Sequence, residues 1–371
     1  MVKFDFDDII IVPKVHTSIT SRYKDIILPE ILPLFTAPMD TVVNYSNKDI
    51  FLNNKIRVVL PRTVSYDSFL TQEILAGKTT DNGIFVSFGY NDILCHMPTA
   101  FLRFHKNANI LIDIANGHLQ KIVDICKEIK KFRPDITIMV GNIANPDTYW
   151  WYAENDCVDY IRVGIGAGGG CLTSKQSGVG HPMASLIKEV YDVKQQFIKF
   201  NLPDKFDPSL LRVTPEEKVK PVKVIPAIVA DGGMKDYSDI IKSLALGADY
   251  VMIGSIFNKT MESCADNYLY SIKIGKKLAN HLFDKGYPVK KYFRGMSTKE
   301  AQKAMGKTRF KTSEGVVRYR KVEYHLNGWV ENFEHYLRNA MIYSDAKTLD
   351  DFIGKADICQ ITKNAYDRFN K

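Results

Sequence analysis

The most informative stretch of the chain is Tyr160-Ile-Arg-Val-Gly164-Ile-Gly166-Ala-Gly168-Gly169-Gly170-Cys171-Leu-Thr173. A short apolar strand pattern ends here in five glycines, and a cysteine and a threonine follow. Glycines at this density let the backbone approach a ligand and offer it N–H and C=O groups. An arbitrary cysteine is usually a buried, inert thiol, but one placed after such a loop is a candidate nucleophile.

Short apolar segments recur along the chain, and helical patterns separate most of them. They predict eight strands, at residues 34–37, 57–60, 84–88, 110–114, 136–140, 160–163, 224–229 and 250–253. Eight parallel strands that alternate with helices are typical of an α/β fold of the (β/α)₈ TIM-barrel type. A doubly wound sheet is the alternative, but its glycine fingerprint normally follows the first strand. Here the glycines come late, which favours the barrel.

In such a barrel the carboxyl ends of all the strands meet at one rim, where catalysis takes place. The predicted strands end in polar and glycine motifs: Ala37-Pro-Met-Asp-Thr41, Pro61-Arg62, Asp113-Ile-Ala-Asn-Gly117, Gly141-Asn142, Asp231-Gly-Gly233 and Gly254-Ser255. Each motif alone is ordinary turn chemistry, but so many at one rim predict a site. The last two follow the seventh and eighth strands, where barrels often bind phosphate.

Composition narrows the class of ligand and the compartment. Lys and Arg exceed Asp and Glu by 50 to 42, which suits an anionic ligand. The sequence contains no run of basic residues interleaved with aromatics, so it gives no indication of nucleic-acid binding. The six cysteines form no CxxC pair, so we expect neither a zinc site nor a disulfide framework. We therefore expect the protein to be in a reducing compartment. The acidic amino terminus and the lack of a long apolar run predict a cytoplasmic protein without membrane contact.

Two polar segments stand apart from the barrel pattern. Residues 200–223 have no clear period and are interpreted as a surface insertion. The polar stretch at about 297–313, after the eighth strand, is interpreted as a mobile flap. Glu314 follows it and is a candidate acid or base, although a solvated glutamate is the simpler interpretation. We expect residues 1–371 to form a single domain.

Taken together, these motifs resemble the IMP dehydrogenase and GMP reductase family over nearly the whole chain. The most specific matches are residues 164–173, Val229-Ala-Asp231-Gly-Gly233 and Arg294-Gly-Met-Ser297. Within the family, Asp113-Ile-Ala-Asn-Gly117, Ser177-Gly-Val-Gly-His-Pro182 and Lys311-Thr-Ser-Glu-Gly315 are similar to GMP reductases. The interval 61–83 is too short for an inserted CBS-type regulatory domain, and the flap is shorter than in dehydrogenases.

The resemblance implies NADPH-dependent reductive deamination of GMP to IMP through a covalent Cys171 intermediate, with Thr173 and Glu314 moving protons. It implies that K⁺ is held by the carbonyls of Gly166, Gly168 and Cys171, and that the protein is a homotetramer. The substrate-binding residues that it implies are Asp231, Gly232, Gly233, Gly254, Ser255, Gly295, Met296, Ser297, Lys311, Ser313 and Gly315. The cofactor-binding residues that it implies are Arg62, Asp113, Ala115, Asn116, Gly166 and Arg338.

Four positions depart from the family pattern. Gly169 stands where the family usually has a phosphate-binding serine, and Phe293 replaces a tyrosine of the dehydrogenases. Arg294 stands where reductases have a tyrosine, and Lys311 replaces an arginine near the cofactor. Each lost hydroxyl contact is worth roughly 1 kcal/mol. Three alternatives therefore remain. One is an NAD-dependent IMP dehydrogenase, for which Arg309-Phe310 is similar to a catalytic Arg-Tyr pair. The others are a reductase of a deoxy or modified purine nucleotide and a nucleotide-binding protein without catalysis.

Overall fold

The computed structural model describes residues 2–64, 83–94, 107–170, 172–201, 224–306 and 315–369. Within these ranges the strands are β1 (Ile9–Ile11), β2 (Leu34–Thr36), β3 (Val58–Leu60), β4 (Ile84–Phe88), β5 (Asn109–Asp113), β6 (Thr137–Ile143), β7 (Tyr160–Val163), β8 (Ala227–Asp231), β9 (Tyr250–Ile253), β10 (Asn267–Leu269), β11 (Ile272–Ile274), β12 (Lys290–Arg294), β13 (Val317–Lys321) and β14 (Ile358–Gln360). A 3₁₀ turn, Phe6–Asp8, precedes them.

The α-helices of the described ranges lie between these strands and after them. In chain order they are Lys48–Asn53, Gln120–Phe132, Pro146–Glu154, Thr173–Ser177, Met183–Asn201, Tyr237–Ala245, Ser255–Asn258, Lys276–Asp284, Lys299–Ala304, Leu326–Tyr343, Leu349–Phe352 and Lys363–Phe369. The helix Pro146–Glu154 has a clear start signal in the sequence. Proline occupies its first turn, and the Asn145 side chain accepts a hydrogen bond from the N–H of Asp147.

Eight parallel strands form one sheet in the order β2-β9-β8-β7-β6-β5-β4-β3. The two end strands meet through a parallel bridge between Phe35 and Arg57, so the sheet curls into a barrel. The predicted (β/α)₈ TIM barrel is therefore confirmed. The seventh predicted strand begins later than expected, at Ala227, because Pro226 cannot donate a ladder hydrogen bond.

The barrel interior is a packed core. Phe35 and Phe85 meet edge to face with ring centroids 5.5 Å apart, and Tyr160 and Tyr250 pack against Phe35 at 5.9 and 5.3 Å. Outside the strands, amphipathic helices cover the sheet with their apolar faces, as Gln120–Phe132 does with Ile122 and its buried neighbours. Because the interior is filled, a ligand can reach the barrel only at its ends.

A second, antiparallel sheet in the order β11-β10-β12-β13 is added after the barrel. Its strands β12 and β13 flank the predicted flap, and they pair from Lys290 with Lys321 to Arg294 with Val317. Residues 297–306 of the flap are described, and they include the helix Lys299–Ala304. The rest of the flap, and residues 202–223 of the predicted insertion, lie outside the described residues.

Candidate active site

A cavity of about 470 Å³ opens at the carboxyl ends of the barrel strands. This volume lies within the usual range for small-molecule sites, about 300–1,000 Å³. The predicted site residues that line it are Arg62, Asp113, Ala115, Gly168, Asp231, Gly232, Gly233, Gly254, Ser255, Gly295, Met296 and Ser297. The structure therefore brings together the rim motifs and the Arg-Gly-Met-Ser segment, which are far apart in sequence.

Other predicted residues lie elsewhere or outside the described residues. Cys171, Lys311, Ser313 and Glu314 belong to the second group. Asn116, Thr173, Gly166 and Gly315 are described but are not among the residues that line the cavity. Gly166 has a positive φ of 81°, and a Cβ there would lie 1.7 Å from Ser174 Oγ, so this turn admits only glycine.

Arg338, predicted to bind cofactor, is held within its own chain. Its Nη1 donates hydrogen bonds to the carbonyl oxygens of Arg22 at 3.0 Å and Ile26 at 2.6 Å. It does not line the cavity. The contacts show a structural role for Arg338, and a role across a subunit boundary stays a prediction.

The wall of the cavity contains a buried charge network that sequence reasoning missed. Arg162, only 5% exposed, donates from Nη1 to Asp113 Oδ1 and from Nη2 to Asp231 Oδ2, both at 2.7 Å. Asn142 Nδ2 also donates to Asp231 Oδ2, at 2.8 Å. The Arg62 Nε atom lies 3.1 Å from Asp113 Oδ2. A signal was present, because a charged residue inside the apolar strand 160–163 needs partners.

The network fixes the charge state of Arg162 and the orientation of both carboxylates. Burial alone would lower the pKa of Arg162, but Asp231 and Asp113 raise it above its ordinary value, so the guanidinium stays charged. Both hydrogen bonds to the Asp231 side chain end on Oδ2. Among the described residues, none donates to Asp231 Oδ1. This oxygen is therefore available to accept hydrogen bonds from a ligand in the cavity.

Backbone contacts join the loop that precedes Cys171 to the chain that follows Glu314. The N–H of Val316 donates to the carbonyl of Gly170 at 3.2 Å, and the N–H of Gly295 donates to the carbonyl of Val316 at 3.1 Å. A Cβ on Gly295 would lie 2.4 Å from the Gly170 oxygen, so the three segments meet only if residue 295 is glycine. The chain neighbours of Cys171 and Glu314, two of the three predicted catalytic residues, thus converge beside the cavity.

The predicted flap also contributes to the cavity. Gln302 and Met305, which were not predicted as site residues, line it beside Met296. Thr298 begins the flap helix by accepting a hydrogen bond from the N–H of Ala301 at 3.2 Å. These contacts place the first half of the flap at the mouth of the site.

The described part of the chain contains no group of three or more His, Cys, Asp or Glu side chains arranged to hold a metal ion. The predicted K⁺ site uses backbone carbonyls and includes residue 171, so it stays a prediction. No helix of the described ranges is long and apolar enough to span a bilayer.

A packed parallel barrel with a polar cavity at its carboxyl rim defines a (β/α)₈-barrel protein with a site in the usual place. A family model described as the IMP dehydrogenase / GMP reductase domain matches residues 100–203 and 212–368. The chain therefore belongs to the IMP dehydrogenase / GMP reductase family, which confirms the resemblance found in the sequence.

Individual relatives from both branches of the family are similar to the chain. A GMP reductase from Caenorhabditis elegans is 25% identical over 99% of this chain and 94% of that protein. A GMP reductase from Onchocerca volvulus is 23% identical over 99% of this chain and 93% of that protein. An inosine-5′-monophosphate dehydrogenase from Cryptosporidium parvum is 30% identical over 68% of this chain and 54% of that protein.

Proposed function

We propose that the protein is an NADPH-dependent GMP reductase. In this reaction GMP, NADPH and two protons give IMP, ammonium and NADP⁺. Two relatives named GMP reductase match the chain over nearly its full length. The match to an IMP dehydrogenase covers about two thirds of the chain.

The observation that carries the proposal is the unoccupied acceptor of Asp231. Its Oδ2 is held by Arg162 and Asn142, while Oδ1 accepts nothing from the described residues. A carboxylate fixed in this way suits the neighbouring hydroxyls of a ribose, since each hydroxyl can donate to it. Gly233 and Gly254 line the same cavity and offer backbone close to the ligand. A purine ribonucleoside monophosphate is the ligand that this arrangement favours.

Cys171 is proposed as the nucleophile. Its thiolate would add to C2 of the guanine ring, and ammonia would leave with protons delivered by Thr173 and Glu314. Reduction at C2 followed by departure of the thiolate releases IMP. Residues 171 and 314 lie outside the described residues, but Gly170 and Val316, close to them in the chain, are hydrogen-bonded to each other.

The proposed dinucleotide would use the wall formed by Arg62, Asp113 and Ala115, which line the same cavity as Asp231. When bound, NADPH would supply the hydride for C2. The carbonyl-bound K⁺ and the homotetramer remain part of the proposal. The role of the network is to hold Asp113 at a fixed place in that wall, because Arg162 and Arg62 bind its two oxygens.

The test is the absorbance of NADPH in the presence of GMP, with a parallel reaction of IMP and NAD. We expect NADPH to be consumed with GMP, and Cys171→Ala to lose at least roughly 10³-fold of the rate. The matched control is Cys359→Ala, which removes an exposed thiol and should retain full activity. Asp231→Asn should raise KM for GMP. The amide oxygen would accept from Arg162 and Asn142 in place of Oδ2, and the amide nitrogen that then faces the ligand cannot accept a hydrogen bond from a ribose hydroxyl.

The second candidate is an NAD-dependent IMP dehydrogenase, which is favoured by the 30% identity to such an enzyme. Reduction of NAD with IMP, without oxidation of NADPH by GMP, would establish it and reject the reductase. If neither reaction proceeds, deoxy and modified purine nucleotides are the next substrates. Mass spectrometry of the protein with nucleotide then separates a catalyst from a binder, because only a catalyst forms the adduct at Cys171.

A further inference from the structure

Arg320, on β13 of the added sheet, places its guanidinium against three residues that line the cavity. Its Cζ lies 4.2 Å from the centroid of the Phe293 ring. Its Nη1 donates to the carbonyl of Ser255 at 3.4 Å. A Cβ built on Gly169 would lie 3.4 Å from Nη2, with no other atom within 4 Å. Phe293, Ser255 and Gly169 line the cavity, whereas Arg320 contacts these three residues and is not itself among the lining residues.

This guanidinium has no carboxylate partner among the described residues. It is only partly exposed, and burial lowers the pKa of Arg320. Arg318 acts in the same direction, while Glu323, which is paired with Lys259, and Tyr324 act in the opposite one. A half-buried cation without a counter-ion is unfavourable unless an anion reaches it. Within the part of the chain that the structure describes, the single long hydrogen bond to Ser255 leaves most of its five N–H groups free.

Phe293 and Gly169 make this arginine suitable for binding a ligand. Stacking on the Phe293 ring holds the plane of the guanidinium while leaving its edge free to donate. Because residue 169 is glycine, no side chain at that position covers the edge of the guanidinium. A planar fork with free N–H groups matches the oxygens of a phosphate.

We infer that Arg320 binds the 5′-phosphate of the nucleotide, with its guanidinium lying next to the position that a side chain at residue 169 would take. The inference rests on the proposed function, since it assumes a nucleoside monophosphate in the cavity. It adds a charged residue from β13 to a site that is built from the barrel rim, the flap and Phe293 of β12. It also explains how the site recognises phosphate where the loop has no hydroxyl.

Calorimetric titration of the full-length protein with GMP and with guanosine tests the assignment. Arg320→Met retains the bulk over Phe293 but removes the charge and the donors. We expect its affinity for GMP to fall about 10-fold to 100-fold, as for loss of a charge-assisted hydrogen-bond pair. The affinity for guanosine should be unchanged, because that ligand has no phosphate.

Two further variants control for charge and for folding. Arg318→Met removes the same charge from an exposed position on the same strand, so GMP affinity should change less than about 3-fold. Arg320→Lys retains the charge and loses the fork, so we expect a smaller loss that is still specific to GMP. If Arg320→Met does not fold, the ratio of GMP to guanosine affinity in Arg320→Lys decides the question.

The outcomes separate this assignment from the proposed function. If GMP is reduced normally and Arg320→Met weakens GMP and guanosine equally, Arg320 only packs on Phe293 and the assignment is overturned. If GMP is not reduced, but the protein binds AMP more tightly than adenosine and Arg320→Met abolishes that preference, the assignment stands and the reductase fails. If the wild-type protein binds no monophosphate more tightly than its nucleoside, the assignment is overturned.

Discussion

Replacing Arg162 with methionine tests the buried network under the cavity. Arg162 is 5% exposed, and its guanidinium makes two hydrogen bonds of 2.7 Å, one to Asp113 and one to Asp231. Methionine fills much of the same volume but leaves two partly buried carboxylates facing each other without a cation between them. Removing one member of a buried ion network typically costs about 3–5 kcal/mol. We expect this loss in the free energy of unfolding.

The expected loss can be measured as a shift in Tm. At about 2 cal/mol/K per residue, the unfolding entropy of a chain of this length is roughly 0.8 kcal/mol/K, so Tm should fall by about 4–6 °C. Thermal unfolding followed by circular dichroism measures the shift at neutral pH. Arg318→Met is the matched control, because that arginine is exposed and its loss should change Tm by less than about 1 °C.

A second substitution distinguishes loss of charge balance from loss of packing. In the double variant Arg162→Met with Asp231→Asn, the uncompensated charge at position 231 is gone, while Asp113 keeps Arg62 as its partner. We expect about half of the lost stability to return. The reasoning is refuted if Arg162→Met is as stable as the Arg318 control, or if the double variant is less stable than the single one.

Three further predictions concern titratable groups outside the cavity, each measured by denaturant unfolding over a range of pH. Burial raises the pKa of Asp239 from 3.8 to about 6, so the free energy of unfolding should fall by roughly 3 kcal/mol as pH rises from about 4 to 7. Asp239→Asn should remove this slope, and an unchanged slope would contradict the assignment. Burial lowers the pKa of Lys291 from 10.5 to about 8, so stability should rise by roughly 3 kcal/mol between those pH values, and Lys291→Met should lack the rise. For His325, burial lowers the pKa, but hydrogen bonds to Glu262 and Asp284 raise it above 6.5 overall. Its contribution is therefore complete below pH 6.5 and is lost as pH rises through the folded-state pKa, so His325→Gln should destabilise more at pH 6 than at pH 9.

The barrel could be predicted from the sequence because its strands are buried on both faces. Such strands appear as continuous apolar runs, and all eight predicted runs coincide with observed strands. The boundaries were less certain, because burial does not mark where pairing begins. At the seventh strand the missing N–H of Pro226 sets the start at Ala227, a local constraint that an apolar pattern does not show.

The cavity was predictable where it depends on strand ends and not where it depends on packing between distant segments. Asp113 and Asp231 were found because both follow apolar runs, and parallel strands place their carboxyl ends together. Asn142 was found in the same way, in the motif Gly141-Asn142. Arg162, and the contacts that both residues make, were missed because the sequence does not say which side chain of a strand or its turn points toward these carboxylates. Their partners are 49 and 89 residues away in the chain.

Arg320 illustrates the same limit and what the structure adds. Its position is set by the antiparallel pairing of β12 with β13, in which Phe293 faces Arg318 and Lys291 faces Arg320. This register spans the whole flap, so no local pattern could relate Arg320 to Gly169. Because the pairing lies outside the flap, it positions Arg320 beside the glycine loop independently of residues 297–306.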